Sequence, residues 1–169
     1  MNWRSSHRVS PARTFFLVLL ALAAAGTLRA ESPAISGDYE DEGVLADGAA
    51  ADFAGGVSLG ALLSMEFEPA LVRKLHEQIS KVSVRQGDGV LKATLYDREG
   101  GVFGQGRWNR SEQSAARAYL YFRNNDEQIL LLLEPAAEGR MLQVTLQRSK
   151  VTAFGPVFRT VGVCLFHRL

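Results

Sequence analysis

Four carboxylates crowd five positions in "GDYEDEG", Gly37 to Gly43: Asp38, Glu40, Asp41 and Glu42. Acids at alternate positions followed by glycine are how a helix-loop-helix calcium loop begins, and such a loop needs a bidentate acid at its twelfth position. With Asp38 as position one, Glu40 and Glu42 fall at three and five and Gly43 at six, but position twelve is Ala49. Glutamates at three and five would crowd so tight a loop, and no helical pattern flanks it. The stretch is therefore expected to be a solvated acidic turn that keeps a first strand from pairing with other chains. No metal site is expected.

Nucleophilic chemistry has few components. Beyond residue 30 the soft ligands and bases are His76, Cys164 and His167. A structural zinc site takes four ligands at close spacing, more than this set offers. Cys164 and His167 are three apart in a strand-like stretch, which puts them on opposite faces. No "GxSxG" elbow is present to expose a serine. His76 stands among Lys74 and Glu77 on the polar side of a helical pattern. A hydrolase using His76 or His167 as base is thus an alternative, and no catalytic residue is assigned. "GGVFGQG", Gly100 to Gly106, is glycine-rich, but no helix follows to complete a phosphate cradle, so it reads as a turn and a strand kink. No cofactor is expected. The residues best suited to a binding site are aromatic: Phe103, Trp108, Tyr119 and Tyr121 could line an apolar cleft, with Phe122 beside them.

The ends of the chain bound where it works. "MNWRSSHRVSPAR" carries Arg4, Arg8 and Arg13 and no acid, and Phe15 to Gly26 is a run of twelve apolar residues. Leu28 and Ala30 then occupy the −3 and −1 positions of a cleavage site before Glu31. This is the order of a secretory signal, expected over residues 1–30. Twelve helical residues rise roughly 18 Å, short of a ~30 Å hydrocarbon core, so no stable membrane span is expected once the signal is removed. No cysteine follows the run to carry a lipid, and no Arg-Arg pair precedes it. All 18 acidic residues follow Ala30, whereas four of the 19 basic ones precede it, which leaves the remainder at about −3. Such a chain lacks the concentrated positive field that nucleic-acid binding requires.

Residues 31–169 suit one domain, expected to be β-rich and periplasmic. Cys164 is the only cysteine, so no internal disulfide can form, and its apolar flanks predict a buried, inert thiol. Ile35 and Tyr39 mark a short first strand, and "VLADGAAADFAGG" reads as a loop. Leu59, Leu62, Leu63 and Phe67 have helical spacing behind a capping Ser58. Pro69 suits the first turn of a second helical segment with Leu71, Val72, Leu75 and Ile79 on one face. From Lys81 onward the period becomes two. Leu91, Ala93 and Leu95, and later Leu142, Val144 and Leu146, are the inward sets, and Gly104 and Gly106 suggest a bulge or a close approach. "QILLLLEP" is apolar on both faces. The fold class is mainly β (α+β): an antiparallel meander of about seven strands, forming a curved sheet or a small barrel, with a short helical segment before the main sheet.

Four stretches, "ISGDYEDEG", "SLGALL", "KVSVRQGDGVLKATLYDREG" and "EGRMLQVTLQRSKVTAFGPVFRTVGVCLFHRL", resemble a family of small exported bacterial envelope proteins, often lipoproteins. Gly37, Tyr39 and Gly43 match its first motif, and Leu59, Leu62 and Leu63 its second. Gly139, Leu142 and Val144 match its late strand, and Pro156, Phe166 and Arg168 its terminal one. The chain departs from the pattern by lacking the lipid-bearing cysteine and by carrying "MEFEPALVRKLHEQIS". The resemblance implies export and a β-rich fold and brings no catalytic residues with it. The expected function is a non-enzymatic periplasmic or envelope-associated protein that binds an apolar small molecule or an envelope partner. A structural or assembly factor acting through an exposed sheet edge is the other non-enzymatic alternative.

Overall fold

The computed structural model describes residues 34–87, 89–109, 116–124, 127–152 and 155–169. The expected signal, Asp88 of the "GDG" turn, most of the Asn109–Ala116 connection, the middle of "NNDE" and the start of the "FGP" break lie outside the described residues. Among the described residues no helix is long and apolar enough to cross a membrane.

Among the described residues eight strands form one antiparallel sheet: β1 (Gly37–Gly48), β2 (Ile79–Gly87), β3 (Val90–Asp97), β4 (Val102–Asn109), β5 (Ala118–Asn124), β6 (Glu127–Ala136), β7 (Met141–Thr152) and β8 (Gly155–Arg168). Their order is β4-β3-β2-β1-β8-β7-β6-β5. Two meanders, β2–β4 and β5–β8, are thus joined where β1 pairs with β2 on one side and β8 on the other. Two helices, α1 (Leu59–Ser64) and α2 (Pro69–Gln78), connect β1 to β2.

Period-two alternation explains the strands. Leu91, Ala93 and Leu95 are buried, as are Leu142, Val144 and Leu146, while the residues between them point to the other face of the sheet. In β6 the inward Leu131 and Leu133 are fully buried and the outward Leu130 and Leu132 half-buried. In β4, a register shift opposite Leu95 and Tyr96 leaves Phe103 as the extra residue. Gly106 is required by its neighbour, because a Cβ there would strike the Trp108 indole.

The meander does not close into a barrel. β4 and β5 are the two ends of the sheet, and no backbone ladder joins them among the described residues. Their inward rings nevertheless meet: Trp108 and Phe122 pack edge to face with centroids 6.5 Å apart. The sheet is curved enough for its edges to approach through side chains alone.

What fills the concave side is α1. All five residues from Leu59 to Leu63 are buried and its last residue, Ser64, is exposed, so the helix lies inside the core up to its C-terminal end. Ser58 caps it as expected, its Oγ accepting the Ala61 N–H at 3.0 Å. Pro69 opens α2, whose contribution to the core is narrower than its spacing predicts: Val72 is buried, Leu75 half-buried and Leu71 exposed, and Ile79 begins β2.

Two expectations about the acidic region are overturned. "GDYEDEG" is not a solvated turn at a sheet edge but the first half of a strand with a neighbour on each side. "VLADG" is not a loop, since β1 continues through Gly48 against β8. Composition alone favours a turn here, but pairing with the C-terminal strand satisfies the backbone.

Because α1 fills the interior, truncating it should leave a cavity. Leu59→Ala is expected to lower unfolding stability by about 2–5 kcal/mol, and Val44→Ala, on the exposed face, by less than about 0.5 kcal/mol, read from urea unfolding. Equal effects would mean that α1 is not part of the core.

Candidate functional site

The acid that matters is Asp41. Alternation along β1 places it on the same inward face as Tyr39, and both are 1% exposed. Its Oδ1 accepts the Gly60 N–H at 2.7 Å and the Ser58 hydroxyl at 3.1 Å. Its Oδ2 lies 3.4 Å from His76 Nδ1 at the last turn of α2. His76 Nε2 is 3.9 Å from Glu42 Oε2. An open cleft of about 310 Å³ lies here, bordered by Glu40, Glu42, His76, Ser80 and Arg98.

This is a Ser, a His and an Asp in contact, but in the wrong order for a hydrolase. A catalytic triad places the imidazole between nucleophile and acid. Here the carboxylate is in the middle, and Ser58 is 1% exposed with its oxygen engaged by Asp41 and Ala61. Ser80, exposed beside the cleft, donates to the Asp97 carbonyl at 2.8 Å. The arrangement is suited to hold α1 against the sheet. Among the described residues no three His, Cys, Asp or Glu side chains are grouped to hold a metal ion. Cys164 is fully buried, and burial pushes its thiol up to about 12. His167 is exposed at the other face of β8.

Asp38, two strand positions before Glu40, shows the opposite electrostatics. The Ser83 hydroxyl, bonded at 2.8 Å, and the Arg85 guanidinium at 2.6 Å hold its carboxyl below the ordinary value. Burial instead raises Asp41, against the Gly60, Ser58 and His76 contacts that lower it. Treating the four acids as one solvated group conceals this difference. The available signal was the spacing: Asp41 is two residues from an apolar Tyr39 and so shares its face.

The four aromatic candidates divide. Phe103, 43% exposed, and the half-buried Trp108 line one groove of about 240 Å³ with Leu63, Ala93 and Leu95. Tyr119 and Tyr121 alternate with the buried Ala118 and Leu120, so they lie on the outer face of the sheet. Tyr121 packs there against Phe158 with centroids 6.5 Å apart, and the Tyr119 hydroxyl accepts from Arg117 at 3.5 Å. The inward aromatic of β5 is Phe122, which meets Trp108.

Comparison with protein families, with curated proteins and with solved structures finds no match to this chain.

Asp41 has a distinct pH signature. Its folded-state pKa lies above the ordinary 3.8, so its contribution to stability is full below that pH and is lost as pH rises through the folded value. Asp41→Asn keeps an acceptor for Gly60 and removes the titration. The native-minus-variant stability difference, from urea unfolding, should therefore fall as pH rises above 3.8. A difference that rises over that interval would mean that the carboxylate is not desolvated.

Proposed function

We propose that this chain is a non-enzymatic, exported protein of the bacterial envelope that receives an extended segment of an envelope partner at the free edge of β4. Export rests on the arginine-bearing start, the apolar run and the Leu28–Ala30 cleavage pattern. The observation that carries the rest is the filled interior. With α1 inside the curved sheet, the Phe103–Trp108 groove is an apolar surface left open to a ligand, and it adjoins the edge of β4 that has no strand neighbour among the described residues. An added strand gains main-chain hydrogen bonds from the edge and places alternate side chains into such a groove. The groove's 240 Å³ falls below the ~300–1,000 Å³ of typical small-molecule pockets, and it suits one inserted apolar side chain.

An apolar small molecule held by Phe103 and Trp108 is the second reading, favoured by the same groove. A hydrolase based on His76 or His167 has less support. His76 is turned towards Asp41 and Glu42, and His167 is exposed at the end of β8.

A photo-crosslinking amino acid in place of Gln105, on the edge strand, should yield one discrete protein adduct in cells. The adduct should disappear when Phe103→Asp is added. No adduct at Gln105, together with a melting temperature raised by fatty acids or aromatic compounds, would replace the partner strand by a small ligand.

A further inference from the structure

The outer face of β2–β4 carries an arrangement that its fold does not require. Register places Arg85 opposite Lys92, and Lys92 opposite Arg107, so three cations form one row across three strands. Like charges directly opposite on a sheet are destabilising. The outward positions of these strands also include Lys81, Ser83, Thr94, Tyr96, Val102 and Gln105, and none of them is acidic. Beyond Ala30 acids outnumber bases, so this segregation runs against the composition.

The cations nearest β1 are matched. Arg85 bonds Asp38, and Lys81 pairs in register with Glu40 and sits 4.4 Å from the centre of the Tyr96 ring. Lys92 and Arg107 are both exposed and have no hydrogen-bond or ion-pair partner among the described residues. They border a shallow groove of about 520 Å³ whose other polar side chains are Thr94 and Gln105. Thr94 is directly opposite Gln105, one outward pair along from Lys92 and Arg107. The result is a two-by-two block of donors with no carboxylate in it. Directly opposite residues have Cβ atoms about 5 Å apart, so the two cationic heads can close on one anion from either side.

We infer that Lys92, Thr94, Gln105 and Arg107 form a binding site for a phosphate group. The guanidinium offers a planar pair of donors to two phosphate oxygens and the ammonium a compact charge. The threonine hydroxyl and glutamine amide supply neutral donors to the remaining oxygens. The phosphate can belong to a small soluble ester or to the head group of an anionic lipid. The site uses the outer face of β4, whereas the proposed partner strand uses its edge and the inner groove, so either can fail without the other.

The chain from Glu31 onward contains the core cluster found among the described residues, from Ile35 to Phe166. In one arm it is titrated with glycerol phosphate and followed by amide chemical shifts. In the other it is sedimented at low salt with vesicles of phosphatidylglycerol in phosphatidylcholine, and with phosphatidylcholine alone. The expected result is binding in at least one arm. In the soluble arm the shifts fall on residues 90–96 and 102–109. In the vesicle arm the anionic lipid is required and added salt weakens binding. Lys92→Gln with Arg107→Gln should weaken vesicle partition about 25-fold, from about fivefold per cation, without lowering the urea midpoint. Glycerol phosphate affinity should fall at least about tenfold in the same variant. Absence of binding in both arms, or equal binding by the variant, overturns the site.

Discussion

One carboxylate, Asp41, is shared by three segments far apart in the chain: strand β1, the start of α1 and the end of α2. An ionised group buried to this degree is costly unless hydrogen bonds replace its water. The Gly60 amide and Ser58 hydroxyl supply two such bonds, and His76 faces the second oxygen. In return, the Gly60 amide in the buried first turn of α1, which would otherwise be orphaned, acquires an acceptor. That exchange allows α1 to sit inside the sheet rather than upon it.

The remaining architecture follows from that placement. The sheet curves around α1, and the interior that a carrier would use is occupied by leucines. Trp108 and Phe122 meet across the two edges, and among the described residues no strand pairs with the outer edge of β4 or β5. A fold with a solid core and unpaired edges directs recognition to its surface. The groove at Phe103 and Trp108 and the donor block at Lys92 and Arg107 lie on opposite sides of the same edge strand.

Much of this was legible in the sequence because it is local. Alternation from Lys81 locates β2 to β8, Ser58 and Pro69 mark the two helix starts, and the glycines of β4 flag a bulge and the Trp108 approach. What was illegible depends on distant pairing. β1 continues through Gly48 because β8, more than a hundred residues later, pairs with it. The aromatics of β4 and β5 look like one set in the chain, yet Tyr119 and Tyr121 have the wrong parity to join Phe103 and Trp108. Asp41 lies between both cases: its face was readable from Tyr39, but its partners were not.

The most direct test of the account is native-state hydrogen exchange at the Gly60 and Ala61 amides. In the native chain both should exchange only through global unfolding, with the protection of core amides such as Leu131. In Asp41→Ala they should exchange through a local opening of α1 while Leu131 stays protected. Unchanged protection of Gly60 and Ala61 in that variant would contradict the claim that the Asp41 carboxylate seats the helix.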